Sequence, residues 1–205
     1  MATALAHIVP LAFAAGLNLY ATVAVLGLSA HFGLVTLPDQ YRAFDHPLVI
    51  GVALTLYALE FVADKIPWVD SLWDALHTVV RPIGSALVAI TALGHASPAL
   101  TTVAALVGGS VAMTSHLAKA GTRAAANTSP EPFSNWILSF GEDLLAIGIS
   151  YGALRHPMAA LAIALALLTV IAACSVVLFR ALARRFARRR SPSGRNGGLA
   201  ERWSG

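Results

Sequence analysis

Apolar residues run along this chain in long blocks, separated by short polar or proline-containing breaks. A helix that crosses a bilayer needs roughly 20 apolar residues at about 1.5 Å rise each. The first block, His7 to Phe32, is long enough for one span. Met1 to Ala6 carry no Lys or Arg. A secretory signal has a basic start and a shorter apolar core, so this block reads as a retained first span. The second block runs from Pro47 to about Ala63, after the turn-like Phe44-Asp45-His46-Pro47. The third, Pro82 to Gly94, has only 13 residues, about 20 Å of a core near 30 Å. It becomes long enough if its helix begins near Val69 and continues through Arg81-Pro82 with a kink. The fourth block is Pro98 to about Ala118, the fifth Phe133 to Gly152 with Glu142-Asp143 in its middle, and the sixth Pro157 to Phe179. No strand alternation competes. The pattern predicts an all-α polytopic integral membrane bundle of about six transmembrane helices, some interrupted or kinked.

Composition agrees. The 205 residues are 57% hydrophobic and 12% charged, with a mean hydropathy of +0.71. A soluble domain carries about 25% charged residues, so an ordinary soluble globule and a disordered chain are both excluded. A single cysteine, Cys174, excludes a disulfide framework and reads as a packing residue of the sixth span. The repeated His46-Pro47 and His156-Pro157 hint at duplication, and three plus three helices is the count that gives inverted repeats.

Charge placement sets the expected topology. Of 14 basic residues, 8 lie at Arg180, Arg184, Arg185, Arg188, Arg189, Arg190, Arg195 and Arg202. With six spans, Lys65, Arg81, Lys119 and Arg123 join them on one side, and Arg42 and Arg155 fall on the other. The positive-inside rule then predicts a multi-pass protein of the bacterial cytoplasmic (inner) membrane with both termini cytoplasmic. The expected organisation is one transmembrane domain over residues 1–190 and a disordered basic cytoplasmic tail over 191–205. The tail arginines suit anionic lipid headgroups, not nucleic acid. Small residues, dense in spans one, four and six, permit close packing within the chain or in a homo-oligomer.

The few remaining charges are grouped. Glu60 and Asp64, four apart, share one helix face, and Asp70, Asp74, His77 and Arg81 form one stripe on the next helix. His116, Lys119, Arg123 and Asn127 make a basic stripe. Asn135, Ser139, Glu142 and Asp143 form a third group, and Gly16 and Asn18 add small and polar atoms to the first span. Charges facing lipid cost several kcal/mol, roughly, so they turn inward and pair. Six acids (Glu60, Asp64, Asp70, Asp74, Glu142, Asp143) against four bases (Lys65, Arg81, Lys119, Arg123) leave two negative charges over, to be met by protons, a cation or water. Two plainer readings stay open: Asp70 to Arg81 as the wet face of an interfacial helix, and Lys119 with Arg123 as a positive-inside anchor.

These residues resemble a family of small bacterial membrane proteins known as domain of unknown function 4126. The resemblance rests on Gly16-Leu17-Asn18, on Glu60, Ala63-Asp64-Lys65-Ile66-Pro67, Asp70 and Asp74, and on Arg81-Pro82-Ile83-Gly84. It continues through His116, Lys119-Ala120, Arg123, Asn127, Asn135, Ser139 and Glu142-Asp143. It implies a membrane protein whose polar motifs converge, and it brings no activity with it.

Three functions fit. A secondary transporter or permease would use interrupted helices with ionisable residues, bracketed by Pro67, Pro82, Ser97-Pro98 and Pro130-Glu131-Pro132. Glu142 and Asp143 would carry a proton or cation, and Lys119, Arg123 and Asn127 would face an anionic group. An intramembrane enzyme acting on a lipid phosphate would hold a divalent metal at Asp70, Asp74 and His77. A non-catalytic membrane partner or assembly protein would use the ion pairs only to hold its bundle. No phosphate loop, His-Glu-x-x-His zinc pattern or nucleophile elbow is present.

Overall fold

The computed structural model describes residues 2–66, 68–127 and 132–190. It contains seven α-helices: α1 (Ala2–Leu17), α2 (Leu19–His31), α3 (Pro47–Ala63), α4 (Val69–Leu93), α5 (Pro98–Ala126), α6 (Pro132–Arg155) and α7 (Pro157–Arg190). A short 3₁₀ turn, Asp39–Ala43, precedes α3. The described residues contain no strand. Four segments are long and apolar enough to cross a membrane: Val69–Leu93, Pro98–Ala126, Asn135–Arg155 and Pro157–Ala181. The chain divides into two compact units, Met1–Leu168 and Thr169–Gly205.

In the first unit an apolar core is joined by buried charges, and many large apolar side chains face outward. Leu72, Leu87, Ile137 and Leu144 are exposed, while Glu60, Arg81 and His116 are fully buried. A protein in water hides its apolar side chains and shows its charges; a bundle in hydrocarbon does the opposite. Helix α4 shows this on one cylinder. Asp70, Asp74, His77, Arg81 and Ser85 face inward, and Leu72, Leu76, Val79 and Ile83 face out. The interfacial-helix reading of that stripe is therefore overturned. Helix α4 runs from Val69 through Pro82 to Leu93, as the length argument requires.

The first predicted span is not one helix. It breaks at Asn18, whose backbone is extended at φ −150°, ψ 102°, and the chain turns back. Along α1, Ile8 packs with Leu93 and Ala104, near the end of α4 and the start of α5. Nine residues later, Leu17 meets Lys119, near the end of α5. Along α2, Asn18 meets Asp143 and Thr22 meets Ser150, so this helix climbs α6 towards its end. Leu26 then joins the same core cluster as Ile8, Ala92 and Leu154. Helices α1 and α2 thus form a re-entrant hairpin with its tip at Gly16-Leu17-Asn18. Its legs, 16 and 13 residues long, reach about 24 and 20 Å.

The physical reason is that neither leg can continue past the tip. Gly16 lies so close to α5 that a Cβ there would overlap Ser115 and the Ala112 backbone, 2.7 Å from Ala112 Cα. Small residues allow this approach: Ala12, Ala14, Ala15 and Ala112 are all fully buried. The start of α1 accordingly lies at the end of the bundle opposite Lys119 and Arg123. The expectation of like-sided termini rests on a first block that forms one span; the structure gives two shorter helices there instead.

Helix α3 begins beside α2, where Gly27 approaches Ile50 and the Phe44 carbonyl, and ends at Glu60 and Ala63 beside α5. In the second unit, Val170, Val176, Val177, Leu178 and Phe179 are exposed, and so is Cys174, which is not the packing residue expected. The predicted tail, 191–205, lies outside the described residues, as do Pro67, Pro130 and Glu131.

Candidate functional site

The hairpin tip is built from helix ends. The last carbonyls of a helix and its first amides have no partner within it. At the tip, Phe13 O accepts from Ser115 Oγ at 3.0 Å, Gly16 O from Arg81 Nη1 at 3.0 Å and Leu17 O from Lys119 Nζ at 3.0 Å. Two bases thus meet the negative end of the α1 dipole. On the other leg, Asn18 Oδ1 accepts from Ala21 N at 2.9 Å and caps α2. That contact fixes the amide orientation, so Nδ2 donates to Asp143 Oδ1 at 2.9 Å. Asn18→Ala loses the cap and leaves Asp143 without its donor. The expected cost is about 2–3 kcal/mol, measurable by unfolding in mild detergent.

From the tip, charged groups continue as one connected network. Arg81 Nη2 donates to Glu60 Oε1 at 2.7 Å, and its Nη1 meets His116 Nδ1 at 2.8 Å. Lys119 Nζ lies 3.3 Å from Glu60, 3.3 Å from Asp64 and 3.5 Å from Glu142. Arg123 grips Glu142 Oε2 through Nε at 3.0 Å and Nη2 at 2.5 Å, and reaches Asp64 Oδ2 at 2.8 Å. Asp74 stands at the edge, 3.8 Å from Arg81. The side chains of Glu60, Arg81 and Lys119 are all completely enclosed.

Beyond this network lie polar contacts towards the start of α4. Asp70 Oδ2 accepts from Asn127 Nδ2 at 3.1 Å, and Asn135 Nδ2 donates to Asn127 Oδ1. Lys65, in the turn after α3, rests over the Phe61 ring, 3.0 Å from its centroid. Its Nζ donates to Phe61 O at 2.9 Å and to Ser139 Oγ at 3.5 Å. Partial burial lowers the Lys65 ammonium from its usual range, with Asp143 and Asp64 pulling it back. In the 3₁₀ turn at the other end, burial pushes the Tyr41 hydroxyl up to about 12, so it stays neutral.

The ionic network fills only one half of the interior. On the far side of the tip, Ile8, Leu11, Leu26, Val88, Ala92, Ala104, Ala153 and Leu154 form an apolar plug. The site is therefore a polar column that starts near one end of the bundle and stops at the re-entrant tip, level with Arg81 in mid-helix α4 and Asp143 in mid-helix α6.

The structure brings together Asn18, Glu60, Asp64, Asp74, Arg81, His116, Lys119, Arg123, Glu142 and Asp143, with Asp70, Asn127 and Asn135 further towards the start of α4. His77 lies to one side: its ring nitrogens meet Trp73 O at 2.7 Å and Tyr20 OH at 3.0 Å. Asp70, Asp74 and His77 are thus not a metal triad, and among the described residues no group of three or more His, Cys, Asp or Glu is arranged to hold one. The helical spacing puts them on one face, but each is engaged by a different partner: Asp70 by Asn127, Asp74 by Arg81 and His77 by Tyr20. Lys119 and Arg123 face carboxylates of the chain itself rather than open space, which also removes the plain anchor reading. Tyr20, Thr78, which meets His116 Nε2 at 3.0 Å, and Ser115 were not foreseen. Tyr20 sits two residues past Asn18 and Ser115 directly precedes His116, which was the available signal.

The family described as Domain of unknown function (DUF4126) matches residues 5–176. No curated protein and no solved structure matches the chain.

Proposed function

The chain belongs to that family, the domain of unknown function DUF4126, and from this premise we propose that it is a small secondary transporter or permease of the bacterial cytoplasmic membrane. The observation that carries the reading is a re-entrant hairpin ending on a buried charged column that is polar on one side and sealed by an apolar plug on the other. Within a membrane, non-helical backbone is tolerated where protein buries it or water reaches it. Transporters place such broken helices at their sites, and buried ionisable groups mark ion and substrate paths.

In this reading the hairpin is the gate. Its tip is held by Arg81, Ser115, Lys119 and Asp143, so a change of charge in the column acts on the tip directly. Lys119 and Arg123 exchange a chain carboxylate for an anionic group of the substrate, and the released carboxylate takes a proton or cation. The column opens to the cytoplasm, with Lys65, Lys119 and Arg123 at that end, and the arginines from Arg180 onward rest on anionic headgroups.

The test is flux in proteoliposomes containing a pH-sensitive dye, under gradients of protons, sodium, potassium, phosphate and small carboxylates in turn. At least one gradient should collapse faster with the protein than without it. Glu142→Gln, which weakens the Arg123 clamp, should slow that flux roughly tenfold or more. A second reading has its own support: each base of the network already has a carboxylate of the chain, as a purely structural partner protein requires. If no gradient moves and Glu142→Gln lowers only the unfolding midpoint, that reading replaces the first.

A further inference from the structure

Six carboxylates and four bases leave two negative charges over, and the geometry shows which groups stand outside the pairing. Glu60, Asp64 and Glu142 each have a base within 3.3 Å. Asp74 has Arg81 at 3.8 Å. Among the described residues, Asp70 and Asp143 have no base within ion-pair distance. Asp70 sits in the first turn of α4, where the helix dipole and the Ser71 amide, 2.6 Å from Oδ1, receive its charge. Asp143 has no such support. It lies in mid-helix α6, 4% exposed, and among the described residues its one hydrogen-bond partner is the neutral Asn18 amide on Oδ1. Its Oδ2 is buried and accepts no hydrogen bond from the protein.

The groups around it are Asn18 at the tip, Tyr57, Glu60 and Asp64 from α3, Lys65 from the following turn, Lys119 from α5 and Glu142 on its own helix. Lys119 is committed to Glu60, Asp64 and Glu142. Lys65 is held by Phe61, Ser139 and two aromatic rings. A lone carboxylate charge buried among other carboxylates is far more costly than a buried hydroxyl lacking an acceptor.

We propose that Asp143 is a proton-binding site: its carboxyl carries a proton on Oδ2 while Asn18 bonds Oδ1. Gain and loss are simple protonation of one carboxyl oxygen, with the proton exchanged along the column. This deepens the permease reading by naming the proton as coupling ion, and only that consequence rests on the reading. Glu142, gripped by Arg123, is thereby assigned to the ionic network instead.

Infrared spectroscopy of the full chain in lipid at neutral pH tests it. A protonated carboxyl gives a carbonyl stretch apart from the amide and carboxylate bands, which shifts in heavy water. The expected result is such a band in the wild type, diminished in Asp143→Asn and unchanged in Glu142→Gln. Because asparagine copies the shape and neutrality of a protonated aspartate, Asp143→Asn should also keep its unfolding midpoint, whereas Asp64→Asn should lower it. A spectrum of Asp143→Asn identical to the wild type would overturn the proposal, as would a large drop in its midpoint. Flux without the band removes the proton site and leaves the permease; the band without flux keeps the site and removes the permease.

Discussion

Arg81→Met should lower stability by about 3–5 kcal/mol, the cost of leaving a buried charge network without one of its partners. Arg81 is fully buried and joins three elements: Gly16 O at the tip, Glu60 on α3 and His116 on α5. Methionine matches much of its length, so lost charge and hydrogen bonds dominate over lost volume. Lysine in its place keeps one positive charge but has a single nitrogen where the guanidinium fork meets three partners, so Arg81→Lys should recover only part of the loss. Adding Glu60→Gln to Arg81→Met should recover part as well, because it removes the carboxylate that Arg81 neutralised. Unfolding of the purified variants in mild detergent reads all three. An Arg81→Met protein as stable as the wild type would mean that the network does not hold the bundle.

Gly16→Ala should be the most damaging glycine-to-alanine change among the described residues. The added Cβ would lie 2.7 Å from Ala112 Cα and overlap the Ala112 carbonyl and Ser115 Oγ. Overpacking typically costs about 1–3 kcal/mol; here the obstacle is backbone, so the top of that range is expected. Ser115→Ala should not rescue it, since Ala112 remains. Moving the tip also pulls Gly16 O and Leu17 O away from Arg81 and Lys119, so the flux proposed for this protein should fall with stability. The control is Gly121→Ala or Gly148→Ala, where an added Cβ meets nothing within 4 Å. Those helix-interior changes should be neutral or stabilising by up to about 1 kcal/mol.

Much of the architecture is legible in the sequence because hydrocarbon leaves few choices. Charges spaced by three and four must share a helix face, and such faces must turn towards one another. That logic reaches the inward stripe of α4, its passage through Pro82, and the meeting of Glu60, Asp64, Lys119, Arg123 and Glu142. It misses the hairpin, because a largely apolar block of 26 residues from His7 to Phe32 has the same hydropathy whether it crosses once or turns back halfway. The determinants of the turn are a glycine whose missing Cβ admits α5 and an asparagine that caps α2, and both depend on partners about 100 residues away. The partner a side chain meets across the bundle is likewise invisible to face periodicity: Asp70, Asp74 and His77 share a face, yet Asn127, Arg81 and Tyr20 engage them separately.

The re-entrant turn also constrains how the chain is made. A membrane-inserting machinery that releases helices one at a time into lipid has no stable place for α1 and α2 alone, since their tip carbonyls find donors only on α4 and α5. The hairpin is thus completed by segments that follow it in the chain, α4, α5 and α6.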